Sequence, residues 1–285
     1  MMFRFRILAV FLPLLFFACK HDSDIPQAVI CRVVSLTDQL DVNGRLTDQM
    51  QRTFTYSNGQ LTQLAERNTD RQVTLTLEYG PTGAVSRASD GTTVLALGYT
   101  TPATHPTSAT VTRNGAVQMT YELAYNAGSR LTRLLETRQV IPTNSLVRSR
   151  EYTFAYDADG LLTTEKLTST LTDRTTVEQE TAFTYGTTIH PLGNFAHGGL
   201  LSLLVMSQSV ESMPGRFWQT RAMQEYKTYN AKNGIRGPLR ETALFTTKLD
   251  ASGRLGTQEQ NTVSTSGSGQ ASQRKNQHSF VYECQ

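Results

Sequence analysis

Hydrophobic and polar residues alternate along almost the whole chain. In the segment 73–79, "VTLTLEY", valine, leucine and tyrosine fall on one face, and threonine and glutamate fall on the other. The scheme recurs in "MTYELAY" at 119–125 and in "YTFAY" at 152–156. A period of two is typical of β-strands with one buried face and one hydrated face. Threonine is abundant at the polar positions, which suits the exposed side of a strand.

Turn signals separate the alternating segments. They are short clusters rich in glycine, asparagine and aspartate: "SNG" 57–59, "GPTG" 80–83, "RNG" 113–115, "NAGS" 126–129, "DADG" 157–160 and "DASG" 250–253. These residues tolerate the positive φ that tight hairpins need. The pattern predicts an all-β fold, an antiparallel meander of about 14–16 strands in which consecutive strands are neighbours.

One hairpin unit recurs at irregular intervals. It consists of an aromatic residue, one further residue, an aromatic or aliphatic residue, a glycine-containing turn and then x-Leu-Thr. It occurs around Gly44, Gly59, Gly128, Gly160 and, in degraded form, Gly253. The unequal intervals do not fit a fixed-period solenoid or propeller. The tyrosines before the turns predict that one end of the sheet is marked by Tyr56, Tyr79, Tyr125, Tyr156 and Tyr185.

The N-terminal segment is typical of an export signal. Arg4 and Arg6 precede an apolar run at residues 7–18, which is shorter than the about 20 residues that a membrane-spanning helix needs. Such a run fits a secretory signal peptide. It ends at Ala18 and Cys19, which resemble the lipobox of bacterial lipoproteins, whose cysteine is acylated. The alternative is an ordinary signal peptide followed by a chance cysteine.

These features give a domain plan. We predict a lipoprotein signal peptide at 1–18, a tether at 19–27 and one β-meander domain at 28–285. The formal net charge is +3, and loss of the two leader arginines lowers it to +1. That balance offers no charged field that would attract nucleic acid, so we expect no nucleic-acid partner. The membrane partner would be reached through lipid, for example palmitate, on Cys19.

The other two of the three cysteines, Cys31 and Cys284, lie near the ends of the β domain. An exported chain reaches a compartment that permits disulfides. A bond between them would close a loop of about 250 residues. It would also bring the first and last strands together, because bridged Cα atoms lie within about 7 Å. Two buried free thiols are the alternative.

The hairpin units resemble the tyrosine-aspartate (YD) repeats of RHS-type proteins. Together with the leader, residues 28–285 are similar to a family of bacterial lipoproteins of unknown function described as having a porin-like β-barrel fold. The resemblance implies a barrel and an outer-membrane lipoprotein that faces the periplasm or the cell surface. It implies no ligand, cofactor or reaction.

Two further observations bear on the architecture. A long meander must protect its edge strands, which favours a closed or nearly closed barrel. Aromatic residues at one end, and a C-terminus without a terminal aromatic residue, favour a soluble barrel over one that faces lipid. The segment 190–216 breaks the alternation, and we favour a helix-containing insertion there over a buried strand. Such a connection is often functional, although it would also serve to plug or cover one end of the sheet.

Candidate chemistry is sparse. With Gly160 at the sixth place, "DADG" does not match a calcium loop, because Ala155 and Lys166 fall at the first and twelfth places. No cysteine or carboxylate accompanies the histidines at metal-ligand spacing, so we expect no metal and no cofactor. Trp218 and Phe217 follow a "MPG" turn, and they are candidates for a sugar-stacking platform, with a core position as the alternative.

The sequence therefore favours a non-enzymatic, lipid-anchored envelope protein that binds a glycan, peptide or protein partner through its loops or lumen. A hydrolase acting on polysaccharide, with two carboxylates in the barrel mouth, is the first alternative. A purely structural surface protein is the second. The oligomeric state stays open.

Overall fold

The alternating segments form β-strands that close into one antiparallel barrel in a computed structural model of the protein. The structure describes residues 31–100, 105–139, 147–193, 195–207, 213–267 and 269–284. The strands in these ranges are β1 (Cys31–Val42), β2 (Arg45–Ser57), β3 (Gln60–Asn68), β4 (Gln72–Tyr79), β5 (Val85–Ser89), β6 (Thr93–Gly98), β7 (Ser108–Arg113), β8 (Ala116–Tyr125), β9 (Leu131–Arg138), β10 (Val147–Tyr156), β11 (Leu162–Leu171), β12 (Thr176–Ile189), β13 (Arg221–Lys232), β14 (Ile235–Leu249), β15 (Leu255–Thr265) and β16 (Ala271–Cys284).

Every strand pairs with its neighbours in sequence, and β1 pairs with β16 to close the barrel. The predicted all-β meander is confirmed, with sixteen strands within the described ranges. Closure leaves no free sheet edge among these strands, which meets the requirement that a long meander hide its edges. A short helix, α1 (Gly198–Ser207), and a 3₁₀ turn (Pro214–Trp218) lie between β12 and β13.

A disulfide joins the two strands at the seam of the barrel. Cys31 lies opposite Cys284 in the β1–β16 register, and the two sulfur atoms are bonded across a Cα separation of 4.0 Å. The pairing is the one that the sequence predicts, over a separation of 253 residues. Because strand pairing and the disulfide coincide, the first and last strands are held by both hydrogen bonds and a covalent bond.

The apolar faces of the strands point into the lumen. In β4, Val73, Leu75 and Leu77 are buried, whereas Thr74 and Thr76 between them are exposed. The buried apolar residues of the strands and those of α1 form one hydrophobic cluster. The diameter of a barrel grows with its number of strands, and at about eight strands the side chains of the wall just fill the interior. The wall of a barrel of sixteen strands therefore cannot fill its own interior. The interior therefore needs additional material.

That material is the segment between β12 and β13. We name α1 and the 3₁₀ turn together the lumen plug. Nine residues of α1 are buried, from Gly198 to Met206, so the helix has apolar contacts on every side. The predicted helix-containing insertion is confirmed. No helix in the described part of the chain is long and apolar enough to cross a membrane.

The tyrosines at one end of the barrel connect successive hairpins. Within the described residues, seven tyrosine hydroxyls each donate to a backbone carbonyl near the start of the preceding odd-numbered strand, at 2.6–3.2 Å. Tyr156 at the end of β10, for example, donates to Leu131 at the start of β9. We name this end of the barrel the tyrosine end. It was predicted from the sequence, but the hydrogen bonds were not.

The leucine and threonine of the hairpin unit also have structural roles. The accepting carbonyl often belongs to that leucine, as at Leu61, Leu131 and Leu162. The threonine after this leucine donates back across the hairpin, to the carbonyl of the residue that precedes the tyrosine. Thr163, for example, donates to Ala155 at 3.1 Å. The strand register shifts by a β-bulge at this point, between Ala155 and Tyr156. The threonine therefore satisfies a carbonyl that the bulge leaves outside the regular ladder.

The aspartates of the hairpin unit are turn formers. Asp157 Oδ1 accepts from the backbone nitrogen of Leu161, and Gly160 has a φ of +80°. Gly44 differs from the other glycines of the unit, because its hairpin lies between β1 and β2 at the opposite end of the barrel. It forms a two-residue turn with Asn43, both at positive φ, as Gly59 does with Asn58 at the tyrosine end.

The tyrosine links should contribute measurably to stability. We expect Tyr156→Phe to lower the free energy of unfolding by about 1 kcal/mol, because it removes one hydrogen bond and leaves a carbonyl unsatisfied. Tyr229→Phe is the matched control, since its hydroxyl has no hydrogen-bond partner in the described residues. Urea unfolding followed by circular dichroism provides the measurement. Equal loss in the two variants would show that the link is not stabilising.

Candidate functional site

The structure separates the residues that the sequence singled out. Cys19, the predicted lipidation site, lies outside the described residues. Cys31 and Cys284 form the seam disulfide. Trp218 and Phe217 are consecutive in the 3₁₀ turn, but their rings have different surroundings.

Trp218 lines a cleft at the tyrosine end. The cleft has a volume of about 620 Å³ and lies between the first turn of α1 and the ends of β5 and β6. We name it the aromatic cleft, and its lining residues are Thr82, Gly83, Ala84, Val85, Leu97, Tyr99, Thr100, His105, Pro106, Ala196, His197, Gly199, Leu200 and Trp218. The volume falls in the usual range for small-ligand sites, about 300–1,000 Å³.

The aromatic rings of the cleft are held in place by hydrogen bonds and ring contacts. Trp218 Nε1 donates to Ser202 Oγ at 3.1 Å, and that hydroxyl donates to the carbonyl of Pro214 at 2.8 Å. The Trp218 ring lies 6.0 Å from that of Tyr125, on which His105 stacks at 5.1 Å. These rings are therefore pre-organised, which lowers the ordering cost of binding.

Among the residues that the structure describes, the lining of the cleft carries no Asp, Glu, Lys or Arg side chain. Burial lowers the pKa of His197, which favours its neutral imidazole near pH 7. Burial also raises the pKa of Tyr99, so its hydroxyl stays protonated and donates to the carbonyl of Val85 at 2.7 Å. The cleft is thus an uncharged surface of aromatic rings, hydroxyls and backbone groups.

Phe217 occupies the core. Its ring is 2% exposed, and the guanidinium of Arg52 lies 5.5 Å from the ring centre. The guanidinium of Arg216 lies at 5.6 Å from the same ring. Phe217 therefore offers almost no ring surface to a ligand, and of the two candidates only Trp218 keeps an accessible position.

Buried polar contacts fix the lumen plug to the barrel wall. Arg150 on β10 donates to the carbonyl of Met206 near the end of α1, at 3.0 Å. Glu165 on β11 accepts from the backbone nitrogen of Gly215 in the 3₁₀ turn, at 2.8 Å. Arg216 lies 3.8 Å from Asp38 on β1. The sequence did not reveal these contacts, because each joins residues that are far apart in the chain.

Asp38 is the centre of one buried network. His278 Nδ1 is hydrogen-bonded to Asp38 Oδ1 at 2.5 Å, and His278 Nε2 lies 2.8 Å from Gln260 Oε1. Burial alone would raise the Asp38 pKa, but His278, Arg216 and Arg52 outweigh it and hold the pKa well below its usual range. Asp38 is therefore an anion that balances the cations of the plug and the wall.

Two carboxylates, from Glu165 and Glu241, line a separate cavity of about 210 Å³. Both are hydrogen-bonded within the fold. Glu165 binds the plug backbone, while Glu241 accepts from Tyr226 and Ser264, each at 2.6 Å. The geometry gives each carboxylate a structural partner, and it does not present them as a free acid and base.

The histidines do not form a metal centre. No group of three or more His, Cys, Asp or Glu side chains in the described ranges is arranged to hold a metal ion. His190 instead packs its ring edge-on against Phe280 at 5.7 Å and accepts from the backbone nitrogen of Leu192. Its place at the start of the insertion makes it part of the support of the plug.

Comparison with known proteins shows the fold. No protein-family model and no curated protein matches the sequence. A solved structure described as a porin-like protein from Bacteroides uniformis aligns with a TM-score of 0.53 at 12% identity, over 88% of this chain and 96% of that one. A porin-like protein from Bacteroides vulgatus aligns over 89% and 99% of the two chains, with a TM-score of 0.45 at 10% identity. The first likeness supports the barrel architecture.

Acid should weaken the support of the plug. Burial, with smaller effects from Arg216 and His278, lowers the pKa of His190 to about 3. Below the unfolded value of about 6.5, the unfolded chain binds a proton that the folded chain excludes, so stability falls as the pH drops towards 3. We expect up to about 1 kcal/mol per pH unit between pH ~6.5 and ~4.5.

The variant His190→Gln should flatten this slope, because it has no proton to bind. The control is Gln224→Asn, which exchanges one uncharged side chain for another at an exposed position on β13 and should keep the wild-type slope. Urea unfolding at a series of pH values measures both. An unchanged slope in His190→Gln would contradict the assignment.

Proposed function

We propose that the protein is a lipid-anchored, non-enzymatic component of the bacterial cell envelope that binds a neutral glycan in the aromatic cleft. One observation carries the proposal. The cleft combines fixed aromatic rings with hydroxyl groups and backbone groups, and the described part of its lining has no Asp, Glu, Lys or Arg side chain. Sugar rings present apolar C–H faces that stack on aromatic rings, together with hydroxyls that need hydrogen-bond partners.

The filled lumen favours binding over passage of solutes. The nine buried residues of α1 occupy the space that an open channel would need. Arg150, Glu165 and Asp38 fix this plug to three different strands. Movement of a solute through the barrel would require these buried contacts to break, which is costly for charged groups in a protein interior.

The envelope location rests on two supports. The leader and Cys19 fit a lipoprotein signal, and the barrel has the fold of a solved structure described as porin-like.

The chain enters the barrel at Cys31, which lies at the tyrosine end beside Tyr56 and its partner Val33. Cys19 and Cys31 are twelve positions apart in the sequence. An extended chain over this distance spans at most about 40 Å. The aromatic cleft would then face the membrane side of the barrel.

The hydrolase alternative has less support. An acid and a base must both reach one substrate bond, and no carboxylate belongs to the lining of the aromatic cleft within the described ranges. The two carboxylates that share a cavity, Glu165 and Glu241, already serve the plug and the wall. A purely structural role leaves the fixed rings of the cleft without a purpose.

Lipidation can be tested in cells. Metabolic labelling with a fatty-acid analogue should tag the wild-type protein, and Cys19→Ala should lose the label. The double variant Cys31→Ser with Cys284→Ser is the control, because it removes the other two cysteines and should keep the label. Equal labelling of wild type and Cys19→Ala would refute the anchor.

Glycan binding can be tested with the intrinsic fluorescence of the one tryptophan in the chain. Titration with a panel of soluble neutral oligosaccharides should give a saturable change in Trp218 emission. In Trp218→Ala we expect affinity to fall about tenfold or more, measured by calorimetry, because stacking on an aromatic ring is lost.

The matched control is Tyr229→Phe, which changes an aromatic residue on the outer face and should bind as the wild type does. Circular dichroism confirms that both variants are folded. The proposal fails if no oligosaccharide of the panel binds, or if Trp218→Ala binds with wild-type affinity. If peptides bind and oligosaccharides do not, the ligand of the cleft is a peptide and the glycan proposal is wrong.

A further inference from the structure

A second pocket opens at the end of the barrel opposite the tyrosine end. Its volume is about 240 Å³, and it lies between the last turn of α1 and the ends of β4, β6, β7, β8 and β9 that are remote from the tyrosines. Three arginines, Arg71, Arg113 and Arg138, are among its lining residues. We name it the arginine-rimmed pocket. It shares no lining residue with the aromatic cleft.

The floor of the pocket is apolar. Leu95, Val111 and Met119 lie directly opposite one another on β6, β7 and β8. Leu75 on β4 and Leu204 on α1 complete the floor. All five side chains are at most 9% exposed. This surface suits an aliphatic chain, whose transfer from water to an apolar environment is favourable.

The rim of the pocket has an excess of positive charge. Arg113 pairs with Thr93 on the neighbouring strand β6. It follows Val111 by two residues and therefore lies on the same inward side of β7. Its side chain is exposed, and it has no ion pair or hydrogen bond with the part of the chain that the structure describes. Asp90 is the one acidic residue of the described lining, and Arg71 acts on it electrostatically.

The third arginine of the rim, Arg138, shares the carboxylate of Glu136 with Arg150. Arg138 lies 3.0 Å from Glu136, and Arg150 lies 2.9 Å from the same oxygen. Glu136 also accepts from the hydroxyl of Tyr121 at 2.9 Å. Arg138 is therefore engaged with the barrel wall, where it shares a carboxylate with Arg150. The geometry leaves Arg113 as the guanidinium available to a ligand.

From this arrangement we infer that the arginine-rimmed pocket binds a free aliphatic monocarboxylate, with the chain on the apolar floor and the carboxylate on Arg113. A planar guanidinium donates two parallel hydrogen bonds to a carboxylate, which gives both affinity and orientation. The volume of about 240 Å³ lies just below the usual range of about 300–1,000 Å³ for small-ligand sites, which favours a short aliphatic chain. The end of α1 does not repel the anion strongly, because Arg150 and Ser207 bind the carbonyls of Met206 and Leu204.

The test uses sodium octanoate as the probe, titrated calorimetrically into the purified protein with its disulfide intact. Octanol supplies the same chain without the charge, and acetate supplies the charge without the chain. We expect octanoate to bind at least tenfold more tightly than either compound. Added salt should weaken octanoate binding, because a rim guanidinium is partly screened.

Variants locate the site. We expect Arg113→Gln to weaken octanoate binding about tenfold or more, since it removes the charge-assisted hydrogen bonds. Arg67→Gln is the matched control, because it makes the same charge change at an exposed position on β3. Val111→Phe fills the floor and should also reduce binding. Circular dichroism checks the fold of each variant.

Three results would overturn the inference. They are no heat of binding with octanoate, equal affinity for octanoate and octanol, or wild-type affinity in Arg113→Gln. Retention of octanoate binding in Trp218→Ala would support a site separate from the aromatic cleft. Failure of oligosaccharide binding would leave this result untouched, because the two sites lie at opposite ends of the barrel.

Discussion

The architecture depends on the hydrogen bond from a tyrosine hydroxyl to a carbonyl of the preceding odd-numbered strand. Burial raises the pKa of the tyrosines that make it, to about 12 for Tyr56 and Tyr282, so the hydroxyls remain donors at neutral pH. Each bond spans two strands at one rim. Beside five of them a β-bulge twists the sheet more strongly, at Tyr56, Tyr79, Tyr125, Tyr156 and Tyr185. Repetition of this link around the rim sets the curvature that a closed barrel needs.

The width of the barrel explains the lumen plug and its charges. Sixteen strands enclose more space than their inward leucines and tyrosines can fill, and α1 supplies the missing apolar volume. The polar backbone ends of the plug must then be satisfied inside a protein, which requires side chains such as Arg150 and Glu165. Buried charges of the wall are thus a consequence of filling a wide barrel with a helix.

Local patterns in the sequence were sufficient for the strands, the turns and the position of the insertion. They were not sufficient for contacts between distant residues. Asp38 and His278 are 240 positions apart, and neither belongs to a local motif. A carbonyl acceptor such as that of Leu131 has no signature in the sequence at all. Trp218 could be singled out because it is the one tryptophan, whereas its cleft partners His105 and Tyr99 could not, because only closure brings their strands next to the plug.

The seam disulfide changes what a protease can achieve. Because Cys31 and Cys284 are bonded, the backbone between them forms a covalent ring. A single cut in any hairpin of that ring leaves one molecule, with both new ends still attached and every strand still paired on both sides. Release of a fragment requires two cuts, or one cut and reduction of the disulfide. Loop tips are the usual sites of proteolytic nicking, so a protein built in this way can be nicked and still retain all of its strands.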